Sequence, residues 1–227
     1  MCEHQAPWSP RAACSTAPAS SHRLAVVDHP DVDAWEAWHP HHLAERLRDL
    51  PVPWYIAAGW AVDLFRGEQS RTHGDLEVGV PATHFALLRP LFPELDFWVP
   101  AGDGVLVPLT AETLAGDSHQ TWAWDPAAGR WRFDVFREPH DGDVWICRRD
   151  EQRIHRPYRE IIRHTDDRIP YLAIEVVLLF KAKNTRGKDE ADFTGVLPLL
   201  SRAERGWLDA ALGLTHPDHP WRARLRS

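Results

Sequence analysis

The chain has 227 residues and a mass of 26.0 kDa, enough for one domain or one domain with a small appendage. Its 26 basic and 33 acidic residues leave a net charge of −7, which argues against holding nucleic acid by bulk electrostatics. With 44% hydrophobic residues it can bury a core, and no run of 18 apolar residues offers a membrane span.

Residues 1–29 have scattered Pro, Ser and Ala, no apolar period and no continuous apolar stretch of the signal-peptide kind. They read as a disordered tail. Cys2, Cys14 and Cys147 lie far apart with no C-x-x-C, which excludes a disulfide framework and suggests a reducing, cytoplasmic compartment. From Asp31 to Leu50 the pattern predicts helix, re-started at Pro40, with Leu43, Leu47 and Leu50 on one face. Val52 to Ala58 reads as a short buried strand, and Trp60 to Arg66 as a short helix stopped by Gly67. After a polar loop, Asp75 to Val80 alternates with period two and reads as a strand ended by Pro81.

Thr83 to Leu91 has helical spacing. Phe97–Val99 and Val105–Val107 read as strands. Thr121–Trp124 and Trp131–Phe136 flank the turn Asp125-Pro126-Ala127-Ala128-Gly129 and read as a hairpin. Asp143 to Arg148 offers one more strand. Helices are predicted over Ile174–Lys183, Lys188–Leu200 and Arg202–Leu212, and residues 216–227 read as a loose tail. Mixed α and β followed by helices indicates an α+β fold. The expected division is a tail over 1–29, a domain over 30–150, a helical part over 151–215 packed on it, and the end over 216–227.

Three acids stand out. Asp75 and Glu77 are two apart on a predicted strand, so both carboxylates project from one face while Leu76 and Val78 point into the core. Asp134 sits between Phe133 and Val135, whose inward orientation puts Asp134 on the opposite face. Adjacent carboxylates repel unless a cation lies between them. Upstream, Gly59 follows a buried strand and opens a helix, a turn that exposes N–H groups to a phosphate. Acids on such a strand suit Mg²⁺, a hard cation that prefers oxygen ligands. The basic residues are 23 Arg and only 3 Lys, all between Lys181 and Lys188, so this lysine cluster departs from the general usage. A compact ammonium at Lys181 or Lys188 suits a triphosphate oxygen, or simply ends a helix. Arg71 could steady a phosphate or pair with Asp63, and His73 reads as a loop residue. His39-Pro40-His41-His42 reads as surface, and Arg148-Arg149-Asp150 as an ion pair with a phosphate role second.

The run Ala58-Gly59-Trp60-Ala61-Val62-Asp63, then Arg71-Thr72-His73-Gly74-Asp75-Leu76-Glu77, resembles the signature of the DNA polymerase β-type nucleotidyltransferase superfamily. It is similar to the form in aminoglycoside 2″-adenylyltransferases and lincosamide nucleotidyltransferases. Phe133-Asp134-Val135, Trp145 to Asp150, Ile169 to Ala173 and Leu178 to Lys183 extend the resemblance over about residues 35–212. It implies a nucleotidyltransferase-like small mixed sheet flanked by helices, with a helical C-terminal part. It also implies transfer of a nucleoside monophosphate, AMP from ATP, to a hydroxyl of a small molecule, with pyrophosphate released. In that reading Asp75 and Glu77 hold two Mg²⁺ ions, and Asp134 is the third catalytic carboxylate, a metal ligand or the base that takes the hydroxyl proton. Gly59, Arg71, Lys181 and Lys188 meet the nucleotide. The family's glycine pair is Ala58-Gly59 here, and alanine adds a methyl group where φ > 0 is not easily taken. Glycine at 58 is therefore expected to raise turnover at a small cost in stability. The alternatives are a catalytically silent nucleotide-binding module and a nucleotidyltransferase acting on protein or RNA. The expected partners are a small-molecule acceptor and a nucleotide, with no membrane and no nucleic acid; oligomeric state has no signal in the sequence.

Overall fold

A computed structural model describes residues 29–227 apart from 103, 115 and 117. The tail expected over 1–29 therefore lies outside the described residues except for His29. The segment after it is extended, not helical. Trp35 bridges to Trp131, and Ala34 O accepts a bond from Trp131 N at 2.9 Å. Trp131 Nε1 also donates to Asp31 O at 2.7 Å. A tryptophan-rich segment gains more by covering a sheet than by closing a helix of its own. Helix α1 is only Pro40–Arg46, with Pro40 in its first turn, and it buries Leu43.

Strand β1 is Tyr55–Ile56 and helix α2 is Ala58–Arg66, two residues longer at its start than expected. Gly67 closes α2 in the left-handed conformation, φ 74°. Strand β2 is Glu77–Pro81. The predicted helix over 83–91 divides into short turns around α3, Phe85–Leu88. Then come β3 (Asp96–Pro100), β4 (Leu106–Pro108), α4 (Ala111–Leu114), and the expected hairpin of β5 (Gln120–Asp125) and β6 (Arg130–Glu138). Strands β7 (His140–Asp141), β8 (Val144–Ile146) and β9 (His155–Pro157) make a second, three-stranded sheet. Helix α5 (Tyr158–Ile161) leads to β10 (Ile162–His164) and β11 (Pro170–Leu172). The last helices are α6 (Ile174–Lys181), α7 (Gly187–Val196), α8 (Arg202–Thr215) and α9 (Trp221–Arg226).

The main sheet is mixed and has eight strands in the order β10-β11-β1-β2-β6-β5-β3-β4. It is larger than the small sheet expected. Strands β10 and β11 belong to it although they follow residue 150, so the sheet does not end at the expected boundary. β11 pairs parallel with β1, and a three-residue apolar strand such as Pro170-Tyr171-Leu172 has no alternation to reveal it. The chain end is not loose: α9 buries Trp221, whose ring stacks on Phe193 at 4.2 Å.

The core forms where the alternation of β2 and β6 buries Leu76, Val78, Phe133 and Val135. Helix α6 is buried from Ile174 to Leu179 and packs against α2 and α8. Gly79 lies mid-strand because the Tyr55 ring crosses it. A Cβ at 79 would fall 2.3 Å from that ring. Gly79→Ala should therefore cost about 1–3 kcal/mol, the range for overpacking a core. Urea unfolding measures this, and an unchanged midpoint would contradict the packing described.

Candidate active site

Strands β2 and β6 run parallel, with Glu77 opposite Asp134. The bond from Asp134 N to Leu76 O, 2.8 Å, fixes this register. Since Phe133 and Val135 face the core, Asp134 projects from the other face, as Glu77 does. Asp75 precedes β2 and is exposed. The three acids line one cleft of about 560 Å³ together with Gln120, Trp122, Trp35, Asp33 and Phe136. Sequence reasoning missed Trp35, Asp33, Gln120 and Trp122 as cleft residues. Trp122 and Gln120 share the side-chain face of Asp134 across the hairpin, which the alternation alone could have shown.

The electrostatics are those of acids in want of a cation. Glu77 is pushed up to about 8 by burial, then by the charges of Asp75 and Asp134. Asp134 is pushed up to about 7, chiefly by burial, although Gln120 Nε2 donates to its Oδ2 at 2.5 Å. Glu77 Oε2 and Asp134 Oδ1 are buried without a hydrogen-bond partner. Among the described residues no three His, Cys, Asp or Glu side chains converge on one point as a closed metal cage would need. Mg²⁺ does not need one. It is bound through one or two carboxylates and completes its shell with water and substrate phosphates. The orphaned oxygens and hard donors fit such an ion.

A second cavity of about 230 Å³ adjoins the cleft, sharing Gln120 and Phe136 with it. Its lining includes Ala57, Ala58, Arg148, Arg149, Lys181 and Arg186. Helix α2 begins here without a side-chain cap, so its first N–H groups are open to an anion. Ala58 is left-handed, φ 48°. The chain has made the turn that favours glycine while keeping alanine.

The nucleotide-side residues expected from sequence divide. Gly59 is glycine because the polar loop packs over it. A Cβ there would lie 2.6 Å from His73 Nδ1 and 2.7 Å from an Arg71 nitrogen. It serves the fold of the loop, whereas Ala58 faces the cavity. Arg71 does not pair with Asp63. Its guanidinium stands 3.8 Å from Asp192, and Asp63 is taken by His73 and Ser70, each at 2.5 Å. Lys181 lines the cavity, but its buried ammonium is held by Asp189 at 3.0 Å and Asp192 at 2.9 Å. Two neighbouring carboxylates therefore share its charge. Lys188 is exposed, and its charge lowers the pKa of Glu77. Arg186, not foreseen, lines the same cavity and bonds Asp189 at 2.8 Å. Glu138, a further acid at the end of β6, is buried against Arg148 and Trp145, an ion pair within the fold.

Residues 41–97, the stretch holding α2 and β2, match the family model for aminoglycoside-2″-adenylyltransferase. The lincosamide antibiotic adenylyltransferase LnuA, solved with lincomycin, has a similar structure. Its TM-score is 0.50 at 15% identity over 70% of this chain and 95% of that one. The antibiotic-resistance factor ANT(2″)-Ia also scores 0.50, at 12% identity over 82% of this chain and 88% of that one. The chain has the fold of these nucleotidyltransferase structures. No curated protein matches it in sequence. The chain shares with those structures the fold, and with the family model the segment that carries Gly59, Asp75 and Glu77.

Two outcomes follow for the metal-free protein. Glu77 and Asp134 ordinarily titrate near 4.5 and 3.8 but are raised in the fold. Their contribution to stability is full below those values and is lost as pH rises through about 7 and 8, because only the unfolded chain sheds these protons freely. Glu77→Gln should therefore gain more in Tm over the parent at pH 8.5 than at pH 5. An equal gain at both pH values would refute the raised titration. Ala58→Gly should raise stability by about 1 kcal/mol, since relief of a left-handed alanine exceeds the entropy that glycine adds to the unfolded chain. That reverses the small loss expected from sequence, and chemical denaturation decides between them.

Proposed function

We propose that the protein transfers a nucleoside monophosphate, AMP from ATP, to a hydroxyl of a small antibiotic-like molecule and releases pyrophosphate, with Mg²⁺ as cofactor. The observation that carries this is an acid-lined cleft adjoining a cavity of opposite character. One is lined by arginines and lysine at an uncapped helix start, and suits a triphosphate. The other is lined by acids, Trp35 and Trp122, and suits a polyhydroxylated or cationic acceptor. The antibiotic adenylyltransferases of similar fold and the matching family model support this choice of reaction. A reaction that consumes ATP needs a compartment that contains it, so cytoplasmic location is part of the proposal.

Asp75 and Glu77 would hold the metal against the phosphates, and Asp134 would share in holding it or accept the proton of the attacking hydroxyl. Bound Mg²⁺ would neutralise the phosphates and make the acceptor hydroxyl more acidic. Asp134 near pH 7 is poised to take a proton at neutrality. Gln120, bonded to its Oδ2, would keep the other oxygen, Oδ1, turned to the acceptor. Lys188 and Arg186 would add positive charge around the nucleotide. Gly59, Arg71 and Lys181 would support the site through the loop and the Asp189–Asp192 cluster.

A panel of aminoglycosides and lincosamides with labelled ATP and GTP tests the reaction. Asp134→Asn should lower kcat by about 10²- to 10⁴-fold while leaving ATP binding measurable. Asp75→Asn should fold and lose Mg²⁺-dependent nucleotide binding. Unchanged turnover in Asp134→Asn, or unchanged Mg-ATP affinity in Asp75→Asn, would overturn the assignment.

A further inference from the structure

The cations around the smaller cavity are not equal. Arg148 is committed to Glu138 through two contacts of 3.2 Å. Lys181 holds Asp189 and Asp192, and Arg186 holds Asp189. Arg149 has no carboxylate within ion-pairing distance among the described residues. One of its terminal nitrogens reaches Phe180 O at 3.5 Å, and its buried Nε has no partner. The Phe180 ring carries both guanidinium groups, Arg148 and Arg149, each 5.0 Å from its centroid. Two positive charges therefore share one ring and one carboxylate, and a positive charge is left over.

Nothing nearby neutralises it. His119 lines the same cavity and is held down to about 4 by burial and then by Arg148, Arg137 and Arg149. His216 is also lowered by burial and by Arg149, and its Nε2 is buried without a partner. A half-buried guanidinium kept apart from acids is costly unless a ligand brings the missing charge. An arginine fork matches two oxygens of a phosphate.

We propose that Arg149 binds the terminal phosphates of the nucleotide, the part that leaves as pyrophosphate. This rests on the nucleotidyl-transfer reading above. Arg149 would then be an anion-binding residue that distinguishes a triphosphate from a monophosphate. Phe180 orients its guanidinium plane, and Arg148, locked to Glu138, keeps the region positive.

Calorimetry with ATP, inorganic pyrophosphate and AMP, each in Mg²⁺, tests this on the parent protein and on Arg149→Gln and Arg149→Lys. A charge-assisted pair lost to a bound anion corresponds to about 10- to 100-fold in affinity. Arg149→Gln should lose that much for pyrophosphate and ATP and keep the AMP affinity of the parent. Arg149→Lys should recover part of the loss, which also separates the charge from any effect on folding. If Arg149→Gln binds pyrophosphate as the parent does, or loses AMP equally, the proposal falls while nucleotidyl transfer stands. If the parent binds neither ATP nor pyrophosphate, both readings fall.

Discussion

The parallel pairing of β2 with β6 is the constraint on which the site depends. It sets Glu77 directly opposite Asp134 and turns both to the face that the core does not use. The same alternation buries Leu76, Val78, Phe133 and Val135, so a slip of one residue would bury the acids and expose the core. The apolar energy of the sheet thereby holds two carboxylates at a separation they would not choose. Their raised pKa values record burial first and neighbouring acids second.

The neighbouring polar clusters support this arrangement from behind. His73 and Ser70 fasten the loop before β2 to Asp63 on α2, and Gly59 leaves room for that loop to close. Lys181 at the end of α6 gathers Asp189 and Asp192 from α7, and Arg71 of the loop reaches Asp192. The acid strand, the helix start and the C-terminal helices are joined through charge as well as through the core. Removing one member of such a buried cluster leaves the others uncompensated.

Much of the α+β order was legible. The hairpin, β2 and the C-terminal helices announce themselves by alternation, turn residues and helical spacing. The nucleotidyltransferase resemblance was legible too, because Ala58 to Asp63 and Arg71 to Glu77 are contiguous runs. The extended segment at 31–38 was not, since its tryptophans cover a sheet face formed by residues far along the chain, Trp122, Trp131 and Phe133. Strand β11 was hidden because a three-residue apolar strand carries no period and its partner β1 is over a hundred residues earlier, and β10 pairs only with β11.

The sequence by itself determined that Asp75 and Glu77 lie on one side of the chain, at the start of β2, and that Asp134 turns outward. Those are consequences of a two-residue period and apolar neighbours, which are local. Only the tertiary structure decided which cations were spoken for. Lys181 looked singular by composition and is held by two aspartates, whereas Arg149 looked like part of an ion pair and has no carboxylate beside it among the described residues. Charge pairing is set by what the fold brings within a few ångströms, and those neighbours lie on other elements. The left-handed turn at Ala58 belongs to the same class. A side chain alone does not fix φ, and the backbone there follows the junction of β1 with α2.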